Sequence, residues 1–262
     1  MYKDKVIDDL SKRWEKSGLV NGDIFLLISS VKRLVLEFKK KKKDISIDQI
    51  IESFLNVIGK SGTMLVPLFN FDFTKNGYFS VNDTVSQMGA LSERFRIKYS
   101  AVRTCHPVYS FGVCGKKKNL FSDIDNFSAY GKDSPFGILK NLNGKIAVLD
   151  LEDQNSMTYY HYIEEMNKVE WRYFKKFKGL CVDKNGFKKN KEYSIFVRNL
   201  EKKIKTNVNP TGELLWKNNL YSGSRPITGN GLRVIKTREM YSFVSNIIKE
   251  NLAYGNLYIS EN

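Results

Sequence analysis

The chain has 262 residues, room for one large domain or two small ones. Hydrophobic residues make up 42% and aromatics 13%, enough for a sizeable core, and no apolar run approaches the roughly 18 residues of a membrane span. Lysine and arginine outnumber aspartate and glutamate by 43 to 28, a net charge of +15 that suits either an anionic ligand or a plain lysine-rich surface.

The first nine residues are too charged for a signal peptide, so a cytoplasmic protein is expected. Val6, Ile7, Leu10 and Trp14 recur at helical spacing, and Gly18 can end that helix. Asp23 leads into Ile24-Phe-Leu-Leu-Ile28, a short apolar run that reads as a buried strand stopping at Ser29-Ser30. The five lysines at 39–43 read as a solvated loop. Ile47, Ile50, Ile51, Phe54, Leu55 and Ile58 form another amphipathic helix, closed by Gly59, and residues 62–67 read as the next strand. Strand, helix and strand in this order predict a crossover unit and an α/β domain.

A helix is expected over residues 85–99, with Met88, Leu91 and Phe95 on one face, and a strand over 108–113. Ser134-Pro135 resembles a helix start, serine as N-cap and proline at the first helical position. Residues 145–150 read as a further buried strand, and the next helix begins near Ser156. From about 170 to 210 the character changes. Residues 171–177, 179–182 and 193–198 are short β-like pieces with lysine-rich turns at 183–186 and 187–191, predicting an antiparallel excursion attached to the main sheet. Residues 232–235 are a last strand and 237–252 a closing helix. The expected fold is a three-layer α/β/α sandwich around a mixed sheet. It forms one domain over residues 1–262 with a β-rich insertion at about 170–210.

Chemistry has few candidates. The chain holds two histidines, His106 and His161, and histidine is the side chain that exchanges protons near pH 7. On a helix, Thr158, His161, Glu164 and Glu165 share a face. A carboxylate there can fix the imidazole tautomer and support the imidazolium, which suits deprotonation of an amine or hydroxyl nucleophile. A surface helix bearing one His and two Glu gives the same pattern. Ser29 and Ser30 lie at a strand end, where α/β sheets bind ligands, and a helix starting after them would favour phosphate, with Lys32 and Arg33 adding charge. A mundane strand-end turn fits equally. The cysteines Cys105, Cys114 and Cys181 have no metal-ligand spacing, so no metal is expected. Basic residues are not interleaved with aromatics in a nucleic-acid module, so no nucleic acid is expected.

Six segments together resemble the aminoglycoside 3-N-acetyltransferase family, over about residues 23–252. Gly22-Asp-Ile-Phe-Leu-Leu-Ile-Ser-Ser30 matches the strand and turn that usually end in His-Ser-Ser. Gly59-Lys-Ser-Gly-Thr-Met-Leu-Val-Pro67 matches the Gly-x-x-Gly-Thr-Leu-x-x-Pro segment, and Met88-Gly-Ala-Leu-Ser-Glu-Arg-Phe95 resembles the helix after the middle loop. His106-Pro-Val-Tyr-Ser-Phe111, Ser134-Pro-Phe-Gly-Ile-Leu139 and Thr158-Tyr-Tyr-His-Tyr-Ile-Glu164 complete the set in the family's order. The resemblance implies direct acetyl transfer from acetyl-CoA to a sugar-ring amine, with His161 as general base oriented by Glu164. Thr158 would then bond the thioester oxygen or leaving sulfur. Ser29, Ser30, Val31, Lys32 and Ser110 would lie along the coenzyme, and His106, Tyr159 and Glu165 near the acceptor. Ile28 departs from the family's usual histidine. On charge, a nucleotide-linked amino deoxysugar of surface-glycan (O-antigen) biosynthesis is the expected acceptor, because an anion suits a basic surface. An aminoglycoside is the alternative acceptor. A non-catalytic nucleotide- or nucleic-acid-binding protein of the same fold is a further one.

Overall fold

A computed structural model describes residues 4–260. Residues 1–3 of the charged opening segment lie outside the described range. Asp4 caps the first helix, α1 (Lys5–Lys16), by accepting from Val6 N at 2.9 Å. Strand β1 (Ile24–Ser29) follows, then α2 (Lys32–Lys40), α3 (Ile47–Ile58) and β2 (Thr63–Pro67). Ser46 and Gln49 form a capping box that starts α3. Two of the five lysines at 39–43 are the last turn of α2 rather than loop, where cations suit the negative end of the helix dipole.

Next come α4 (Phe73–Asn76), β3 (Tyr78–Ser80), α5 (Ala90–Lys98), β4 (Val102–Arg103) and β5 (Phe111–Gly115). The helix expected over 85–99 begins only at Ala90. Ser86 N bonds the Glu93 carboxylate, Met88 N bonds the Ser86 hydroxyl, and Gly89 turns with φ 95°. Side chains thus take the amides a longer helix would need. The strand expected from Val108 starts at Phe111, because Val108 and Tyr109 donate their amides to His106 Nδ1.

Helix α6 (Pro135–Asn141) starts as predicted, with the Ser134 hydroxyl accepting from Gly137 N. Strand β6 (Lys145–Leu149) leads to α7 (Tyr159–Met166), which carries His161. The long hairpin β7 (Arg172–Val182) and β8 (Lys188–Arg198) then rises from the body, followed by β9 (Ile204–Thr206) and α8 (Asn209–Lys217). The short β10 (Ser222–Gly223), β11 (Leu232–Lys236), α9 (Thr237–Lys249) and β12 (Tyr258–Ser260) complete the chain.

The main sheet runs β10-β11-β6-β1-β2-β5-β4. β1 lies parallel to β2 and β6, and the outer pairings are antiparallel, so the sheet is mixed. Alternation along β1 builds the layers. Phe25 and Leu27 face a core with Trp14 of α1 and Phe54 of α3. Ile24, Leu26 and Ile28 face the opposite core with Leu139 of α6, Ile163 of α7 and Val244 of α9. The three-layer α/β/α arrangement follows. Trp14 and Phe54 stack at 4.7 Å, and the Trp14 indole donates to Ser53. Burying each such ring is worth roughly 1.5–3 kcal/mol.

The hairpin is not attached to the main sheet. It forms a separate sheet of order β3-β7-β8, with β3 parallel to β7. The two pieces expected at 171–177 and 179–182 are one continuous 11-residue strand from Arg172, with Gly179 inside it. A Cβ there would stand 2.2 Å from Gly77 O, so only glycine lets β3 approach β7. The stretch read as a turn at 187–191 is mostly β8, where Lys188 and Lys189 face solvent and Lys191 pairs with Asp125. The helix at 237–249 does not close the chain, since β12 returns to pair with β9. Among the described residues no helix is long and apolar enough to cross a membrane.

Candidate active site

Helix α7 brings His161 and Glu164 onto one face, and their contact is direct. His161 Nδ1 lies 2.9 Å from Glu164 Oε2. Glu164 is fully buried, while the His161 side chain keeps 22% of its surface open. The Trp171 indole donates to Glu164 Oε1 at 2.9 Å. Arg172 Nε stands 2.6 Å from Oε2, a charge contact off the alignment of a hydrogen bond. Burial pushes the Glu164 carboxyl up, but the Arg172 charge and its bonds to His161 and Trp171 outweigh it and hold it below its ordinary value. Burial, then the Arg172 charge, pulls the His161 imidazole below its ordinary value, against the pull of Glu164.

This fixes the tautomer. An ionised carboxylate only accepts, so Nδ1 carries the proton and Nε2 keeps its lone pair. Among the described residues no hydrogen bond occupies Nε2. His161 lies where two clefts meet. The larger, about 450 Å³, is walled by Tyr109, Tyr130, Tyr173 and Phe177 and carries Arg172, Lys175 and Arg198 on its rim and floor. The smaller, about 150 Å³, runs past Ile28, Pro67, Met88, Ser156 and Thr158. A base with an open lone pair between two clefts can take a proton from a nucleophile in one while it attacks a group in the other.

Thr158 lines the smaller cleft and makes no capping bond to α7. Ile28, the family departure, stands in that same cleft. Ser29 and Ser30 follow it at the strand end, with Ser30 N bonded to Leu149 O. Val31 and Lys32 begin α2, so the helix start after the paired serines is present and its first amides lack intrahelical acceptors. Arg33 is committed to Asp150, its Nε 2.9 Å from both carboxylate oxygens.

The structure places four other expected residues away from both clefts. His106 is fully buried, its Nδ1 accepting from Val108 N and Tyr109 N and its Nε2 3.3 Å from Ser194 O. Burial pushes its pKa down to about 4. Tyr159 is buried, and its hydroxyl donates to Thr237 O. Ser110 is buried between Arg103 and Leu68 O. Glu165 accepts from the Ser128 hydroxyl instead of meeting His161, and burial raises its carboxyl to about 7. Conversely, sequence reasoning missed Trp171, Arg172 and Tyr130. The first two grip Glu164 from beyond the helix end, outside any i+3 or i+4 pattern. The Tyr130 ring lies 5.5 Å from the imidazole, from a loop.

The family model described as aminoglycoside 3-N-acetyltransferase matches residues 28–249. The chain is an acetyl-CoA-dependent N-acetyltransferase, with acetyl-CoA as cosubstrate. Solved structures agree in fold. An enzyme described as AAC-IIIb, in a binary complex with CoASH, superposes with TM-score 0.77 at 16% identity, covering 94% of this chain and 96% of that one. The aminoglycoside acetyltransferase AAC(3)-Xa gives 0.77 at 18%, covering 94% and 93%. The YokD protein from Bacillus subtilis gives 0.73 at 17%, covering 94% and 99%. No curated protein matches by sequence. The chain belongs to the aminoglycoside 3-N-acetyltransferase family.

That membership corrects the expected acceptor. The nucleotide-linked amino sugar rested on net charge alone, and the family shown by the match over residues 28–249 is described by aminoglycoside acetylation instead. Net charge sums the whole surface and does not select a ligand. Part of this chain's positive charge is already paired, as in Arg94 and Lys98 on Asp48.

Proposed function

We propose that this enzyme acetylates an amine of an aminoglycoside, with His161 as general base in a direct transfer. The observation that carries the proposal is the bare Nε2 of His161 at the junction of two clefts, backed by buried Glu164. The family supports the acceptor class, as does a solved relative described as AAC-VIa bound to sisomicin.

The acceptor amine sits in the larger cleft, where Tyr109 and the exposed Tyr173 supply aromatic wall for a sugar ring. The thioester enters from the smaller cleft, beside Thr158. The amine nitrogen attacks the thioester carbonyl carbon while Nε2 takes a proton from it. The C–S bond breaks, and the proton returns from the imidazolium to the leaving thiolate. The products are an acetamide and free coenzyme A. Glu164 stabilises the imidazolium between the two proton transfers. Thr158 offers its hydroxyl to the developing oxyanion or sulfur. Ser29, Ser30 and the open amides of α2 hold the coenzyme's phosphates, with Lys32 adding charge.

The attacking amine must be unprotonated, and the cations Arg172, Lys175 and Arg198 favour that form. The test is release of free thiol from acetyl-CoA in the presence of sisomicin or gentamicin, with the acetylated amine located by mass spectrometry. The proposal expects one thiol per acetyl group transferred. Tight acetyl-CoA binding without thiol release on any aminoglycoside rejects the acceptor class.

A further inference from the structure

Arg172 opens the hairpin at β7, is 8% exposed, and belongs to neither the helix nor the motif that carries the dyad. Its Nε contacts the same Glu164 oxygen that meets His161 Nδ1. Its other nitrogens are anchored, Nη1 to Phe196 O at 3.1 Å and Nη2 to Thr206 Oγ1 at 3.1 Å. The neighbouring Trp171 takes the second carboxylate oxygen. Two consecutive residues at the hairpin base thus hold both oxygens of a carboxylate on a different element. A buried carboxylate is stable only when paired and hydrogen-bonded, and this one has three partners.

We propose that Arg172 is a positioning residue for acetyl transfer, holding the Glu164 carboxylate in charge and orientation so that it in turn aims the His161 lone pair into the clefts. The inference rests on His161 acting as the base. It gives the hairpin a catalytic purpose: Phe196 of β8 and Thr206 of β9 fix the guanidinium, which fixes the carboxylate, which fixes the imidazole. The charged and titratable groups lining the clefts around His161 come from several elements. Glu164 lies on its own helix, Arg172, Tyr173 and Lys175 come from β7, Arg198 from β8, the phenols of Tyr109 and Tyr130 from the loops opposite, and Asp153, paired with Arg233, from the smaller cleft. Burial raises the Tyr109 and Tyr130 phenols above their ordinary value, so those two stay neutral, and the cation in direct contact with the His161–Glu164 pair is Arg172.

Removing the Arg172 charge therefore makes the His161–Glu164 pair keep its proton to higher pH, whichever of the two holds it. A residue that only anchored the hairpin would leave that limb where it is. The experiment compares Arg172→Met, Arg172→Lys and His161→Asn with the wild type. It records folding by circular dichroism, KM for acetyl-CoA, kcat, and the pH profile of kcat/KM. The expected result for Arg172→Met is a folded protein with near-unchanged KM for acetyl-CoA. Its kcat should fall on the order of ten- to a hundredfold, short of the full worth of a general base. Its acid limb should move to higher pH. Arg172→Lys should return the limb toward the wild-type position while recovering only part of kcat, since lysine keeps the charge and loses the fork.

A folded Arg172→Met protein with the wild-type acid limb overturns the proposal. If the Met variant does not fold, Arg172→Gln takes its place: a folded Gln variant with reduced kcat and an acid limb moved to higher pH supports the proposal, and a wild-type limb overturns it. His161→Asn separates the two readings. An inactive His161→Asn beside an unshifted Arg172→Met limb rejects Arg172 alone, whereas an active His161→Asn rejects the base itself.

Discussion

The two histidines sit in neighbouring regions that use the same ring in opposite ways. His106 is enclosed, with both nitrogens engaged by backbone and a pKa pushed down to about 4. His161 has one nitrogen committed to a carboxylate and the other open at two clefts. Both rings are neutral at pH 7, but only one has a lone pair that a substrate can reach. Being in a family motif does not make a histidine a base. What does is an unspent nitrogen facing space where a reactant fits.

The largest expected effect breaks the comparison on the His161 side. His161→Asn should fold normally and lose about 10² to 10⁴ in turnover, the usual worth of a positioned base; a thiol-release assay on the purified variant checks this. Glu164→Gln should lose less, on the order of tenfold in kcat. Its acid limb should move to lower pH, because the imidazolium loses the carboxylate bonded to it while Arg172 stays.

On the other side, His106→Leu should cost stability, about 1–3 kcal/mol for the amides and carbonyl left without partners, with kcat unchanged in the folded protein. Denaturant melts at several pH values sharpen this. The folded pKa of His106, about 4, is depressed below the ordinary 6.5. Between those values the unfolded state binds the proton and the native state does not, so wild-type stability falls as pH drops through that window. The variant should lack this part of the acid sensitivity.

The smallest effect concerns the acceptor. Arg198 stands on the larger cleft and is exposed. Arg198→Ser should lower KM for a polycationic aminoglycoside a few-fold, and the gain should shrink with salt as the screening length contracts to roughly 8 Å at physiological ionic strength. An unchanged KM would place the acceptor's charges away from this wall.

Much of this was legible in the chain. The apolar run ending at Ile28, the capped start at Ser134 and the periodic face of α3 are local signals, and each gave an element close to where it lies. The His161–Glu164 contact follows from i+3 spacing on one helix. What stayed hidden depends on contacts between distant segments. Gly89 and the Glu93 side chain cut a helix that periodicity extends to Val85. The partnership of β3 with β7 depends on a glycine crossing that no alternation pattern records. Net charge misled about the acceptor because it carries no position. His106 could not be told from His161 by residue type, since the difference lies in which backbone groups surround the ring.

The most direct test of that difference is a nitrogen-15 spectrum of the histidine side chains at neutral pH, with His161→Asn used to assign the two rings. The two rings should hold opposite neutral tautomers. His161 carries its proton on Nδ1, toward Glu164, and His106 on Nε2, toward Ser194 O. A His161 ring protonated on Nε2 and bare on Nδ1 would contradict this, since no lone pair would then face the clefts.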